Sequence, residues 1–429
     1  MKKIKSQQNP TKSSHTKSVF SSYQKYVVSM LAVLQFTVIL NFMILSPLGT
    51  ILINNLGITL KQFGLLVSCY AFSAAISGIL FSGYADRFDR KKLLLIFYTG
   101  FLTGTLLCAL TSSYYFLLGA RIITGFFGGI IGSISLSIVA DLFPMQSRGQ
   151  AMGIIQSAFS ASQMMGIPIG LFLANLFNWH AVFLMIALIG SLIGICIWLF
   201  LKPLTAHLEK VSKKSPLQSI LTIATNPRYF TGLTATMLVA SGGFILQPFA
   251  STFSINNMGI SLNNLPLVYM IGGLAAMLAG PYLGKLSDSI GKFTMFAITS
   301  TLCCIWMLWY TALGITPLWT AIFAQCLFAL FISGRMSATM ALISAVPAAH
   351  ERGAYMAIST SMQQLAGGLA ASAAGLIVLQ NPSGKIENYS HLGWFVVSIM
   401  LLTMIQMFFI NRIINKSQEN MQTECPAEL

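Results

Sequence analysis

Twelve long apolar runs, separated by short polar breaks, take up most of this chain. They fall near residues 26–52, 62–85, 92–111, 116–142, 150–176, 181–201, 229–253, 264–284, 293–313, 317–345, 353–380 and 391–414. Each is long enough for the roughly 20 residues that a helix needs to cross a bilayer. Strict alternation of apolar and polar positions, the mark of a membrane barrel, is absent. Composition points the same way. With 55% hydrophobic and 8% charged residues, and a mean hydropathy of +0.75, the chain carries more apolar surface than a soluble fold of its size can hide. The expected fold class is an all-α polytopic membrane protein of twelve transmembrane helices.

The net charge of +15 would suit a nucleic-acid binder, but its placement does not. If the amino terminus lies in the cytoplasm, the outward loops carry only Lys61 and Lys385, and the spans only Arg121 and Arg335. All other Lys and Arg residues then fall in cytoplasmic segments, which is the positive-inside bias of an inner (plasma) membrane protein with both termini cytoplasmic. No base-reading context accompanies the charge, so no nucleic acid is expected. Six of the seven Cys residues lie in apolar runs without metal-ligand spacing, and no cofactor is expected. The first 25 residues are too polar for a signal peptide and read as a disordered arm.

The polar stretch KPLTAHLEKVSKKSPLQ, residues 202–218, divides the spans six and six. The expected organisation is a cytoplasmic arm (1–25), a six-helix bundle (26–201), a cytoplasmic linker (202–218), a second bundle (219–414) and a cytoplasmic tail (415–429). The halves repeat weakly. Pro47 pairs with Pro248, Asp86 with Asp288 and Arg148 with Arg352, at offsets of 201, 202 and 204. An even number of spans per half keeps both halves in the same orientation.

Parallel six-helix repeats are the architecture of major facilitator transporters, with a substrate cavity between the halves. The stretch from Ser82 to Lys91, SGYADRFDRK, resembles that superfamily's signature at Asp86, Arg87, Arg90 and Lys91, and departs from it at Ser82 and Asp89, where the signature has Gly. The second half repeats it as GKLSDSIGK, from Gly284 to Lys292. The resemblance covers nearly the whole chain. It implies a gating latch of Asp86, Arg90 and Asp141 at the cytoplasmic edge, with Asp288 as a thinner counterpart in the second half. The alternative is that these cations only anchor topology and touch lipid head groups. Arg121 and Gly125 match the family's Arg-x-x-x-Gly pattern. Gly166 and Gly170, in GIPIG, resemble a loosened Gly-Pro motif of drug:proton antiporters, and both positions carry a structural or coupling role on that resemblance. Stripes of small residues at helical spacing on the fourth, fifth and eleventh spans allow close helix packing.

All ten acids lie in loops, tails or span ends. Proton-driven transporters generally place a titratable group in the cavity. Antiporters resembling this chain often carry an acid in the first span, where Asn41 stands here. Proton coupling would then use Asp86, Asp141 or the substrate. Two cations lie within spans. Arg121 belongs to the outer part of the fourth, and Arg335 lies near the middle of the tenth. An Arg at that depth costs about 2.5–3.5 kcal/mol on insertion scales, so something should compensate it. Arg335 is read as a substrate contact in the cavity, against the alternative of a structural Arg on helix-end carbonyls. Asn41, Gln163, Gln247 and Gln363 complete the candidate cavity, although each is also suited to bonding a neighbouring helix.

No Walker sequence and no catalytic motif is present. An enzyme is not expected. The reading is a monomeric secondary transporter, a proton-linked exporter of small amphipathic compounds or drugs, with the small-molecule substrate, protons and lipid as partners. An organic-anion transporter using Arg335 as counter-ion, and a membrane sensor that binds without transporting, are the alternatives.

Overall fold

The computed structural model describes residues 20–81, 87–205, 222–223, 225–347 and 351–424. Asp86, residues 1–19 of the expected arm and residues 206–218 of the expected linker lie outside them. Eleven helices are long and apolar enough to span a membrane: α1 (Ser22–Met43), α2 (Leu60–Phe81), α3 (Arg90–Leu110), α4 (Tyr114–Leu142), α5 (Ser147–Leu176), α6 (Trp179–Phe200), α7 (Pro227–Asn256), α8 (Leu265–Ile290), α9 (Lys292–Thr311), α10 (Leu318–Ser344) and α12 (Tyr389–Asn415). The twelfth, α11 (Arg352–Ile377), has a more polar sequence and packs along α2.

Local chemistry sets the boundaries. Ser21 and Gln24 form a reciprocal capping box at the start of α1. The Gln24 amide also donates to the Leu142 carbonyl at 2.9 Å, tying α1 to the end of α4. Asp89 caps α3 by accepting from the Lys91 amide. The first apolar run, 26–52, is not one helix. α1 ends at Met43, a turn holds Pro47, and a short helix runs from Gly49 to Leu56. α7 breaks in the same way around Pro248, through a 3₁₀ turn over Gln247–Phe249. Proline lacks the N–H that a continuing helix needs, and the paired prolines interrupt equivalent helices.

α5 contains a π turn at Ser162–Gly166, where the Ile167 amide reaches back to the Ser162 carbonyl. Pro168 follows and cannot donate to the carbonyl four residues before it. A two-stranded hairpin, β1 (Leu379–Gln380) with β2 (Ile386–Glu387), joins α11 to α12. Asn257 holds it through both the amide and the carbonyl of Ile386.

The starts of α1 and α3 and the ends of α4 and α6 share one face of the bundle, since Lys202 donates its backbone N–H to Tyr23 and Arg90 bonds Leu204. This is called the termini face below. The core is not uniform along the membrane normal. Near the far face a single apolar cluster takes residues from both halves, among them Leu48, Phe63, Ile167 and Phe183 with Phe249, Phe253, Ala371 and Tyr389. Near the termini face the two halves have separate cores. One contains Val27, Leu94, Ile134 and Ile197, and the other Tyr229, Phe296, Leu342 and Tyr355.

Candidate functional site

The halves meet where the paired prolines break α1 and α7. The Ser46 hydroxyl donates to the Gln247 carbonyl, and the Ser251 hydroxyl donates to the Ser46 carbonyl at 2.5 Å. Asn175 of α5 donates to Leu262 ahead of α8 at 3.1 Å. Glycines let the backbones approach. A Cβ at Gly64 would stand 3.1 Å from the Ala371 carbonyl and 3.2 Å from the Gly375 Cα, and one at Gly273 would stand 2.6 Å from the Met164 backbone. Contact of α2 with α11 continues to Gly78, which packs on Ser361. Between α1, α2 and α7 a small void remains, lined by Phe42, Met43, Ser46, Val67, Phe244, Gln247 and Pro248. The Phe42 ring lies 5.6 Å from Phe244 across the seam and 5.1 Å from Tyr70. The void is therefore mostly apolar, with a backbone and hydroxyl edge at Ser46 and Gln247.

Gln247 lies at the seam, where its backbone carbonyl and not its amide makes the bond between the halves. Gln163 is also at the seam, where its backbone meets Gly273. Gln363 is half-buried on α11. The other two cavity candidates lie elsewhere. Asn41 is fully buried inside the first half. Its amide donates to Thr105 of α3 at 3.0 Å, and its side-chain oxygen accepts from Arg121 at 2.7 Å. Arg121 also stacks over the Tyr70 ring, 4.5 Å from its centroid, while its Nε and Nη2 have no hydrogen-bond partner. Arg335 is 2% exposed and faces its own bundle. Its neighbours are the Phe296 ring of α9, 5.7 Å away, and Gly242 of α7. The expectation that Arg335 lines the space between the halves is corrected: a side chain from α10 that turns toward α7 and α9 reaches the interior of its own bundle.

At the termini face, Arg90 Nε contacts Asp141 at 3.2 Å. The pair joins α3 to α4 within the first half, and Asp86 of the expected latch lies outside the described residues. Asp288, at the end of α8, pairs with Lys292, the first residue of α9, so this pair stays within the second half. The small-residue positions serve packing. A Cβ at Gly125 would stand 2.4 Å from the Tyr70 carbonyl. Gly166 accommodates Leu40 and Phe36 of α1, and Gly170 accommodates Ile44. Sequence reasoning missed Tyr70, Thr105, the Ser46–Ser251 bonds and Gly242. Of these, only Ser46 had a visible signal, its position beside a repeated proline.

Two parallel bundles of membrane-spanning helices, with a shared apolar core at one face and separate cores at the other, define a polytopic transporter fold. The chain belongs to the Major Facilitator Superfamily, whose family model matches residues 31–371. It is a membrane transporter and not an enzyme. Among similar proteins, the uncharacterized MFS-type transporter YbcL of Bacillus subtilis (strain 168) is 28% identical over 269 residues, covering 62% of this chain and 68% of the relative. A protein of Helicobacter pylori (strain G27), named "Probable sugar efflux transporter", is 25% identical over 241 residues, 56% of this chain and 60% of the relative. The chain thus matches about two thirds of the length of these relatives. Among solved structures, a D-xylose–proton symporter superposes with a TM-score of 0.72 at 17% identity, covering 91% of this chain and 97% of that one. A human organic anion transporter gives a TM-score of 0.68 at 17% identity, with 90% and 99% covered.

Proposed function

We propose that this protein is a secondary transporter that works by alternating access and exports small amphipathic organic compounds from the cytoplasm in exchange for protons. The observation that carries the reading is the uneven core: one apolar cluster spans both halves at the far face, while each half has its own at the termini face. Two bundles joined at one end can rock about that seam and expose the space between them to one side at a time. The positive charge of the termini face makes it the cytoplasmic one, so the shared core closes the outer side. The side chains that meet at the seam are mostly apolar, which favours an amphipathic substrate over a heavily hydroxylated one once the halves part. Relatives named as efflux transporters support export.

Proton exchange needs a titratable group. Among the described residues no carboxylate lies deeper than about a turn from a helix end. Asp141, held by Arg90, is therefore the candidate carrier. A second reading, transport of an organic anion, draws on the same shortage of acids and on the buried guanidinium groups of Arg121 and Arg335.

The test is transport by proteoliposomes under an imposed pH gradient, with cationic, neutral and anionic amphipathic compounds. Gradient-driven movement of a cationic or neutral compound, lost in Asp141→Asn, is the expected result. Movement of anions alone, indifferent to the gradient and to Asp141→Asn, selects the second reading. Binding without movement in any arm would leave a sensor.

A further inference from the structure

We infer that a compact anion, of halide size, binds inside the second bundle between Arg335 and Gly242. Arg335 lies deep in the apolar part of α10 and is 2% exposed. Its Nε and Nη2 are buried without hydrogen-bond partners among the described residues. Its neighbours offer only weak compensation: the face of Phe296 at 5.7 Å, the thiols of Cys303 and Cys304, and Met400 beside Gly242. No described carboxylate lies in the middle of α7, α9, α10 or α12, the helices packed around it. A buried cation in this setting costs more than a surface one unless a counter-charge is supplied.

The first half shows what such a counter-group looks like. Asn41 stands six residues before Pro47 and holds Arg121. The residue six before Pro248 is Gly242, which has no side chain to offer. A Cβ built there would lie 3.7 Å from both Nη1 and Nη2 of Arg335 and 3.7 Å from Met400. These are ordinary contact distances, so a side chain attached at position 242 would meet the guanidinium without displacing its walls. Arg335 is enclosed by its own bundle, away from the seam between the halves. That enclosure favours a small ion over the head group of a transported compound.

The site predicts a charge rescue. From a Cβ at 3.7 Å, a carboxylate at position 242 reaches hydrogen-bond distance of the guanidinium. The experiment measures thermal unfolding of the purified full-length chain in neutral detergent, in sodium bromide and in sodium gluconate at equal ionic strength. The wild type should melt about 2–4 °C higher in bromide after subtraction of the salt difference seen in the variants. Gly242→Asp should melt higher than wild type in gluconate and gain nothing from bromide. Arg335→Gln should also lose the bromide response. If Arg335→Gln does not fold, the Gly242→Asp comparison and anomalous scattering from bromide in wild-type crystals decide. An equal salt difference in wild type and Gly242→Asp, or crystals with no bromide at Arg335, would overturn the site.

Discussion

The two faces of the bundle are held by different chemistry. At the far face, apolar burial, glycine contacts and serine–carbonyl bonds cross between the halves. At the termini face, the described polar bonds stay within one half, as with Arg90 to Asp141 and Tyr229 to Glu351. Apolar burial in a close-packed seam is lost gradually as area is uncovered, whereas charge pairs at a wet edge open at little cost. A machine that must open one face at a time can use the first as a joint and the second to brace each half separately.

The largest test of this contrast is to fix the far seam covalently. Gly64→Cys with Gly375→Cys places two thiols on backbones that already touch, so that a bond between them pins the seam. Oxidation should abolish transport and reduction should restore it, while an unchanged rate in the oxidised form would show that the far face never opens. A smaller effect is expected from prying the seam apart. Gly273→Leu forces a side chain into the Met164 backbone, an overpacking cost of about 1–3 kcal/mol. Transport should fall about tenfold or more at equal membrane level, measured against Gly280→Leu, whose Cβ meets nothing.

Removing one hydrogen bond should do less. Ser251→Ala should lower stability by about 0.5–1.5 kcal/mol in thermal unfolding. The smallest effects belong to the termini face. Asp141→Asn, at a partly exposed pair, should cost about 1 kcal/mol or less. Asp288→Asn, at an exposed pair between the end of α8 and the start of α9, should leave the melting temperature where it was. A reversal of this order between the faces would break the comparison.

Much of the fold was legible in the sequence because lipid imposes simple demands. Each span had to be long and apolar, and the spacing of Pro47 and Pro248 gave the repeat before any coordinates. The breaks at those prolines were less visible, since the residues around them stay apolar and the runs read as unbroken. The site was harder. Asn41 and Arg121 were both singled out, but their partnership depends on which faces of α1 and α4 turn inward. An all-apolar helix carries no periodicity that says so. The direction of the Arg335 side chain on α10 was hidden for the same reason.

The π turn of α5 has a consequence for how that helix is used. One additional residue within a turn rotates everything beyond it by about 100° relative to an unbroken helix. The part before Ser162 lies chiefly along α1 of its own half, whereas the part beyond Gly166 lies between α6 of its own half and α8 of the other. A single rod thereby turns mainly toward its own bundle at one end and toward both bundles at the other. Deleting one residue between Ser162 and Gly166 would straighten the rod and turn one of those ends away from its neighbour.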